Sequence, residues 1–586
     1  MKHSNQTPKD TLKSVGVHGT GVSGNLQTGG LPHKTATLPP PSQTPQSTRV
    51  GLISLGCAKN LVDGELMLGA LLNDGIQIVS DPALADVVIV NTCSFIDSAQ
   101  EESVDAILES AEARRQTNPG QALVVAGCLP QRFREELVKL LPEVDAFAGI
   151  DQVPRMAGII REALARRKEI AQSERPAQAT GRKRKVMERI SHLQKDTPFT
   201  PIVKPAAPLF EVNQRPTFIP DFAMPRLRLT PSHLAYVKIA EGCNHPCSFC
   251  IIPQIRGSHR SRPQADIVAE ARQLIEQGVK ELNLISQDST YYGMDLRASA
   301  SRAISSPEKF SATTKALPGG AATLSSLIEE LNALPGNFWI RLLYTHPAHW
   351  TDDLIRAIER SPKVARYIDM PLQHIHPAML ERMRRETSRE YIIDLIARIR
   401  AGIPGIALRT TFIVGFPGET DEAFESLLDF MRETRFERAG VFAYSREEGT
   451  RAGKMESQVP DRVKKQRQKR AMIEQRKIAR AVAAASLGRT MRVLIERPAG
   501  SRDLENAGIS SWEHGLIRQS EKAQAVLETS CLIARGEADA PDIDGRVYVK
   551  GKAPIGHFAE VKIIGHTDYD LLAEVKTTTS IGTRQV

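Results

Sequence analysis

Cysteine is scarce in this chain, which has seven cysteines among 586 residues. So few cysteines in a chain of this length exclude a disulfide framework as the source of its stability. Long apolar runs are also lacking, since no stretch of about 18 uninterrupted apolar residues exists, and we expect no transmembrane helix. The first fifty residues contain no apolar segment typical of a secretory signal. We therefore expect a cytoplasmic protein whose thiols stay reduced.

The cysteines that are present form two groups of three and one single residue. The first group has spacings of 36 and 35 residues, and the second has the compact spacing CxxxCxxC within EGCNHPCSFCIIP. In a reduced compartment, cysteines in threes indicate a metal or cluster site. The first group is Cys57, Cys93 and Cys128, the second is Cys243, Cys247 and Cys250, and Cys531 stands alone.

The N-terminal half divides into three parts. Residues 1–48 are rich in Ser, Thr, Pro, Gly and Gln, which predicts a disordered tail. Residues 49–164 alternate strand-like runs with helical patterns, which predicts a small doubly wound α/β domain with a parallel sheet. Residues 165–229 contain a GRKRK run and many prolines, and we interpret them as a linker or insertion.

The C-terminal half divides into two further parts. Residues 230–485 contain six strand-like runs with helical stretches between them, which favours a partial (β/α) barrel, with a polar surface insertion at 298–322. Residues 486–580 contain strand-like runs without intervening helices, which predicts a small antiparallel β-barrel. The whole chain is thus expected to be an α/β protein of several domains.

The CxxxCxxC group has the spacing of an iron–sulfur site. Three thiolates within eight residues can hold three irons of a 4Fe-4S cluster, so that one iron stays open. An open iron can chelate the amino and carboxylate groups of S-adenosylmethionine (SAM) and cleave it to a radical, and this chemistry belongs to the cofactor. The alternative is a structural zinc site in which His245 is the fourth ligand.

The N-terminal group is too widely spaced for a local motif, but its positions share one property. Cys57, Cys93 and Cys128 each follow a predicted parallel strand, in GLISLG, VVIVNT and LVVAG. They should therefore meet at one edge of the sheet, where α/β folds build sites. The alternative is three buried cysteines that act as small apolar residues. A dehydrogenase is excluded as a class because no GxGxxG follows the first strand.

Longer stretches resemble the methylthiotransferase family of radical SAM enzymes: VKIAEGCNHPCSFCIIP, LISQDSTYYG, YIDMPLQHIHPAMLERMRR, RTTFIVGFPGETDEAF and GVFAYSREEGT. The resemblance extends from Arg49 to Lys576 apart from two insertions. It implies a methylthiotransferase N-terminal domain, a radical SAM core and a terminal TRAM domain, with SAM and two 4Fe-4S clusters as cofactors. The first cysteine group would ligate an auxiliary cluster, and the CxxxCxxC group would ligate the cluster that cleaves SAM. The residues implied near SAM are Phe249, Gly415, Gly418 and Glu419.

Two further motifs, SLGCAKNLVDGE and NTCSFIDSA, resemble the branch of this family that modifies an aspartate β-carbon of small-subunit ribosomal protein twelve. The substrate would be that protein or the assembled subunit, and two SAM would be used. Ala58, Gly64 and Pro246 depart from the usual pattern of this branch. The alternatives are a tRNA adenosine methylthiotransferase and a non-catalytic iron–sulfur protein that binds the ribosome.

Charge offers a separate indication of the partner. Residues 488–575 contain 11 Lys/Arg and 14 Asp/Glu. A domain that grips tRNA should be basic, because neutralisation of phosphates dominates such binding. An acidic domain would suit a basic ribosomal protein, although a solvated acidic surface without a partner would look the same.

Overall fold

The first sheet of the protein begins at Arg49. The computed structural model describes residues 47–173, 208–297, 306–500 and 531–576. Six parallel strands form this sheet in the order β2-β1-β3-β4-β5-β6. Their bounds are β1 Arg49–Ser54, β2 Gln77–Ile78, β3 Val87–Thr92, β4 Ala122–Gly127, β5 Ala146–Ala148 and β6 Leu209–Glu211.

Helices cover both faces of this sheet. Val87 and Ile89 of β3 pack into one core, and the alternate residues Val88 and Val90 pack into another. Side chains of a strand alternate between faces, so two cores mean a doubly wound layer arrangement, as predicted. The helices of this domain are α1 Ala58–Asn73, α2 Asp97–Thr117, α3 Cys128–Phe133, α4 Glu135–Leu140 and α5 Met156–Ser173.

Part of the predicted linker at 165–229 belongs to the fold. Helix α5 continues beyond residue 164 to Ser173, and β6 pairs with β5 as an edge strand. A strand of three residues beside prolines carries little sequence signal, which explains the difference. The predicted tail up to residue 46 and the GRKRK run lie outside the described residues.

A second sheet of six parallel strands forms the partial barrel predicted from the sequence. Its order is β14-β13-β12-β11-β10-β7, so each strand pairs with the next strand of the barrel along the chain. A separate short antiparallel pair, β8 with β9, follows the first barrel strand. The bounds are β7 Leu234–Lys238, β8 Ala240–Glu241, β9 Arg260–Ser261, β10 Glu281–Ile285, β11 Trp339–Leu342, β12 Val364–Asp369, β13 Ala407–Val414 and β14 Arg438–Ala443.

The barrel helices begin at good capping residues. The side chains of Thr351, Ser388 and Thr420 each accept a hydrogen bond from a backbone N–H of the first turn of the helix that follows. The helices are α6 Ile252–Arg256, α7 Gln264–Glu276, α8 Pro307–Lys315, α9 Leu324–Ala333, α10 Asp352–Arg360, α11 Pro377–Met383, α12 Arg389–Gly402, α13 Asp421–Thr434 and α14 Asp461–Ala484.

The insertion at 298–322 is not wholly a polar surface segment. Its helix α8 buries Phe310, which stacks on His349 with ring centroids 4.4 Å apart. Residues 298–305 of the insertion lie outside the described part of the chain. Among the described residues, no helix combines the length and apolar character needed to cross a bilayer.

The C-terminal region is a closed barrel of five strands in the order β15-β16-β17-β19-β18. Its pairings are antiparallel except for β17 with β19, which is parallel. The strand-like run AVLETS at 525–530 lies outside the described residues, and β16 starts directly after it at Cys531. The bounds are β15 Thr490–Pro498, β16 Cys531–Arg535, β17 Val547–Lys550, β18 Phe558–His566 and β19 Leu571–Val575.

The segment 536–546, which we call the plug loop, connects β16 to β17 and packs against the starts of the partial-barrel strands. Asp539 pairs with Arg438 at 2.5 Å, and Tyr367 donates a hydrogen bond to Asp544 at 2.7 Å. Beside the loop, Arg535 of β16 pairs with Glu281, the first residue of β10, at 2.6 Å. The closed barrel is therefore joined to the partial barrel by buried ion pairs.

Candidate active site

The first cysteine group meets at one sheet edge, as the position of each cysteine after a parallel strand predicted. Cys57, Cys93 and Cys128 follow β1, β3 and β4, which are neighbours in the sheet. Gly56 shows how close these ends are: a Cβ there would lie 2.5 Å from the Cβ of Cys93 and 2.9 Å from its Sγ. The sulfur atoms can converge because the residue before Cys57 carries no side chain.

The second cysteine group lies in the loop that follows β8. The backbone N–H of Cys243 donates to the carbonyl of Gly257 at 3.0 Å, and that of Cys250 donates to the carbonyl of Cys247 at 3.3 Å. These hydrogen bonds fold the loop back on itself, so the three cysteine side chains are held within one compact loop. The three cysteines are partly exposed, which leaves room for a group bound to them.

The donor set of both groups fits an iron–sulfur cluster. Burial raises the pKa of Cys250 to about 12, and repulsion from Cys247 adds to this effect. Burial also raises the pKa of Cys128, and the nearby Cys57 adds to it. Sulfurs that repel one another as thiolates are held close together, and iron supplies the positive charge that keeps such a set deprotonated.

The two cysteine groups approach each other across the domain boundary. Cys128 packs against Ile251 and Ile255, which lie one and five residues after the CxxxCxxC motif. Cys128 is also buried, with 5 % of its surface exposed. The first domain and the barrel therefore place their two cysteine groups on either side of one interface.

Each group has one arginine directed at a sulfur. Arg256 donates to Cys128 Sγ at 3.4 Å, and Arg385 donates to Cys247 Sγ at 3.5 Å. Both arginines are buried. Sequence reasoning missed these residues, although Arg256 stands in IIPQIRG directly after the cysteine motif, and this position was an available signal.

Both ring nitrogens of His245 are hydrogen-bonded to carboxylates, so neither is free to bind zinc. Its Nε2 lies 2.8 Å from Asp288 and its Nδ1 lies 3.0 Å from Glu386, so carboxylates occupy both ring nitrogens. Burial lowers the pKa of His245, but these two hydrogen bonds outweigh burial and raise it to about 9. The zinc alternative, in which His245 completes the CxxxCxxC group, is therefore disfavoured.

His245, His346 and His349 form a buried group whose ligating atoms lie within 4.8 Å of one another. The rings of His245 and His346 are stacked, with centroids 3.6 Å apart. Stacked imidazoles direct their lone pairs side by side rather than toward one ion. Asp288 further bonds His349 at 2.6 Å. This group is a hydrogen-bonded stack that holds the cysteine loop against the ends of β10 and β11.

The residues predicted to lie near SAM are placed as follows. Phe249 is half-buried and meets Phe416 edge-on, with ring centroids 6.5 Å apart. Glu419 is buried, and its carboxylate bonds His374 at 3.1 Å, Arg467 at 2.6 Å and the backbone N–H of Gly415 at 2.6 Å. Glu419 therefore stabilises the loop that follows β13 through hydrogen bonds to other residues of the protein.

The two predicted glycines adopt positive φ angles in this same loop. Gly415 packs against Lys464 of α14, where a Cβ would lie 2.3 Å from the side chain. Gly418 has its backbone N–H bonded to the carbonyl of Ser457 at 2.9 Å and would place a Cβ 2.9 Å from Arg382. Both glycines are required by close packing of the loop that follows β13.

A contact between the two domains was also missed from the sequence. The ammonium of Lys59, two residues after Cys57, lies 3.0 Å from the centroid of the Tyr344 ring. Tyr344 has a φ of 60°, which is uncommon for a residue other than glycine. Because the partners are far apart in sequence, only the folded chain reveals the pair.

The acidic net charge of residues 488–575 does not give the charge of the exposed surface of the C-terminal barrel. Of the nine acids in its described residues, 488–500 and 531–575, three are buried, namely Asp539, Asp544 and Asp570, and the first two hold the plug loop against the partial barrel. Arg535 is the basic residue buried with them. The other charges of these described residues are seven Lys/Arg and six Asp/Glu, so the described surface is not acidic.

Three family models match the chain. The model described as Uncharacterized protein family UPF0004 matches residues 49–149, that of the Radical SAM superfamily matches 237–431, and that of the TRAM domain matches 523–575. The order of these matches follows the order of the two sheets and the closed barrel. The expected radical SAM core and TRAM domain are thus confirmed.

Relatives match over most of their length. A protein of Opitutus terrae named ribosomal protein uS12 methylthiotransferase RimO is 51% identical over 90% of this chain and 96% of its own. A protein of the same name from Akkermansia muciniphila is 45% identical over 90% of this chain and 99% of its own. A solved structure of the radical SAM methyltransferase TsrM from Kitasatospora setae is 16% identical, with a TM-score of 0.42, over 70% of this chain and 77% of its own. On its likeness to the first two relatives, the chain belongs to the RimO family of radical SAM methylthiotransferases, which use SAM and 4Fe-4S clusters.

Proposed function

We propose that this chain adds a methylthio group to the β-carbon of an aspartate in ribosomal protein uS12, and that it does so in the cytoplasm. The observation that carries the proposal is the meeting of the two cysteine groups at one domain interface, where Cys128 touches Ile251 and Ile255. Relatives of 45% and 51% identity that bear the name of this activity support it. The substrate is the free protein or the assembled small subunit.

The chain's own residues divide the work between two sites. Cys243, Cys247 and Cys250 would hold the cluster that binds SAM, and Cys57, Cys93 and Cys128 would hold the auxiliary cluster. When bound, these clusters and two SAM supply the radical and the methylated sulfur. The protein holds both sites at a fixed distance and, by burying Cys128 and Ile251, keeps water from the path between them.

Four further residues are proposed to shape the SAM site. Phe249 lies inside the cysteine loop, and its half-buried ring would provide an aromatic surface for the adenine. Gly415, Gly418 and Glu419 support the neighbouring loop through the bonds of the Glu419 carboxylate. We assign Glu419 to positioning, because its oxygens already bond groups of the protein.

The test compares two kinds of substrate, ribosomal protein and tRNA, with one enzyme preparation. The reconstituted full-length chain is incubated with SAM and a reductant, together with purified small subunits, free uS12 or bulk tRNA. Mass spectrometry should find one methylthio addition, about 46 Da, on a uS12 aspartate and none on tRNA. The variant with Cys57, Cys93 and Cys128 replaced by alanine is the control, and it should leave both substrates unmarked.

Two outcomes would contradict the proposal in different ways. Methylthiolation of tRNA without a mark on uS12 would replace the substrate and leave the chemistry intact. Clusters that assemble without any reductive cleavage of SAM would indicate a non-catalytic iron–sulfur protein.

A further inference from the structure

Arg256 connects the loop of one cysteine group to the other group. It is the last residue of α6, six residues after Cys250, and only 1 % of its surface is exposed. Its guanidinium reaches across the domain boundary and donates to Asp63 at 3.1 Å. A second nitrogen of the same guanidinium donates to Cys128 Sγ at 3.4 Å.

The position of this guanidinium is fixed by a buried set of charges. Arg256 also donates to Glu241 at 3.0 Å, and Lys238 lies against both Glu241 and Asp63. Gln287 donates to Glu241 at 2.6 Å. Two cations therefore balance two carboxylates. The planar guanidinium has donors on several edges, so it can bond these carboxylates and still direct one N–H at the sulfur.

We propose that Arg256 is a positioning residue that tunes the auxiliary cluster: by donating to Cys128 it raises the reduction potential of the cluster held by Cys57, Cys93 and Cys128. The proposal rests on the ligand assignment made under the proposed function. A cation and a hydrogen bond at a ligand sulfur favour the reduced cluster, which is the more negative state. In a buried site this effect is weakly screened.

A purely structural role predicts something different, and Arg226 provides the comparison. Arg226 is also an arginine that bridges the domains, with Glu65 of α1 at 2.5 Å and Glu270 of α7 at 2.6 Å. Its side chain is 10 % exposed, against 2 % for that of Arg256. The described bonds of Arg226 include no cysteine. Loss of either arginine should weaken the domain interface, while only loss of Arg256 should change the cluster.

The experiment is a redox titration of the full-length chain, reconstituted with both clusters and followed by electron paramagnetic resonance. The auxiliary signal is identified by its loss in the variant with Cys57, Cys93 and Cys128 replaced by alanine. Arg256→Gln should move the midpoint potential of that signal to a lower value. Arg256→Lys keeps the positive charge but loses the planar guanidinium, so it should lower the midpoint potential by a smaller amount. Arg226→Gln should leave it unchanged.

Several results would overturn the proposal. Equal shifts in Arg256→Gln and Arg226→Gln would reduce Arg256 to an interface residue, and so would an unchanged potential in Arg256→Gln. Failure of both Arg256 variants to assemble the cluster, with normal assembly in Arg226→Gln, would show a structural requirement instead of tuning. A wild-type chain without an auxiliary signal would refute the ligand assignment itself. No substrate is present, so none of these readings depends on the identity of the substrate.

Discussion

The imidazole of His245 lies on that of His346, with their planes at 21°. One ring belongs to the cysteine loop and the other follows β11, so the stack joins two segments that are a hundred residues apart. Asp288, after β10, bonds His245 and His349. The cysteine loop is thereby held by the ends of the two barrel strands that follow β7.

The first prediction concerns Asp288. Asp288→Asn removes the negative charge that His245 and His349 share, so the cysteine loop should lose its fixed orientation. We expect reductive cleavage of SAM to slow by about tenfold, as is typical when a group supporting a metal site is lost. Cleavage is measured as release of 5′-deoxyadenosine. The control is Asp352→Asn, which alters an exposed pair with Arg398 and should leave the rate unchanged.

The second prediction concerns the count of iron. Two groups of three cysteines should bind about eight irons per chain. Replacing Cys57, Cys93 and Cys128 by alanine should halve the iron and leave cleavage of SAM intact. Cys531→Ser is the control, since Cys531 packs with Ile533 and Tyr548 on the face of β16 and β17 opposite to the barrel core. Iron analysis that found a large loss in Cys531→Ser would show a miscounted ligand.

The third prediction concerns the glycine before Cys57. Gly56→Ala would drive a methyl group into the side chain of Cys93, at a φ of 84° that alanine avoids. We expect this variant to lose about half of its iron. Gly75→Ala is matched to it, with a φ of 74° but nothing within 4 Å of the added Cβ. That control should cost about 1 kcal/mol of stability and keep its iron. Equal iron in the two variants would contradict the packing explanation.

The fourth prediction concerns the joint between the two barrels. Burial raises the pKa of Glu281, but Arg341 and Arg535 outweigh burial and lower it to about 2. Glu281→Gln leaves both arginines without their shared anion and should destabilise the fold by about 3–5 kcal/mol. Glu425→Gln, in an exposed pair with Arg470, should have little effect.

The pH dependence of this loss follows from the lowered pKa. A carboxylate with a lowered pKa in the folded state stabilises fully above its ordinary pKa and loses the contribution only as the pH falls toward about 2. Thermal unfolding should therefore show a constant difference between wild type and Glu281→Gln from about pH 5 to pH 8. A difference that changed steeply within this range would contradict the assignment.

Much of the fold could be predicted from the sequence because its signals are local. The runs VVIVNT and LVVAG are continuous and apolar, as buried parallel strands require, and the structure has β3 and β4 there. Position at the end of such strands sufficed to bring Cys57, Cys93 and Cys128 together. The compact CxxxCxxC group needed only its spacing.

The remaining features depend on contacts between distant residues. The partners of His245 lie 43 and 141 residues away, and Arg256 reaches a cysteine 128 residues away. Counting charges along the chain could not separate the buried Asp539 from acids on the surface, so the link between the charge of the closed barrel and its partner stays a prediction. The edge strand β6 is too short for its pattern to stand out.

The plug loop has a consequence for access. A parallel barrel has two mouths, and the plug loop closes the one where the strands begin, through the ion pair of Asp539 with Arg438 and the hydrogen bond from Tyr367 to Asp544. The cysteines lie at the opposite mouth, beyond strands such as β10, whose five residues span about 17 Å. A substrate that bound first to the closed barrel would therefore have to reach around the outside to meet the cysteines. An extended segment of the substrate needs at least about five residues to cover the length of β10. This requirement favours a protruding loop over a flat surface as the part of the substrate that reaches the cysteines.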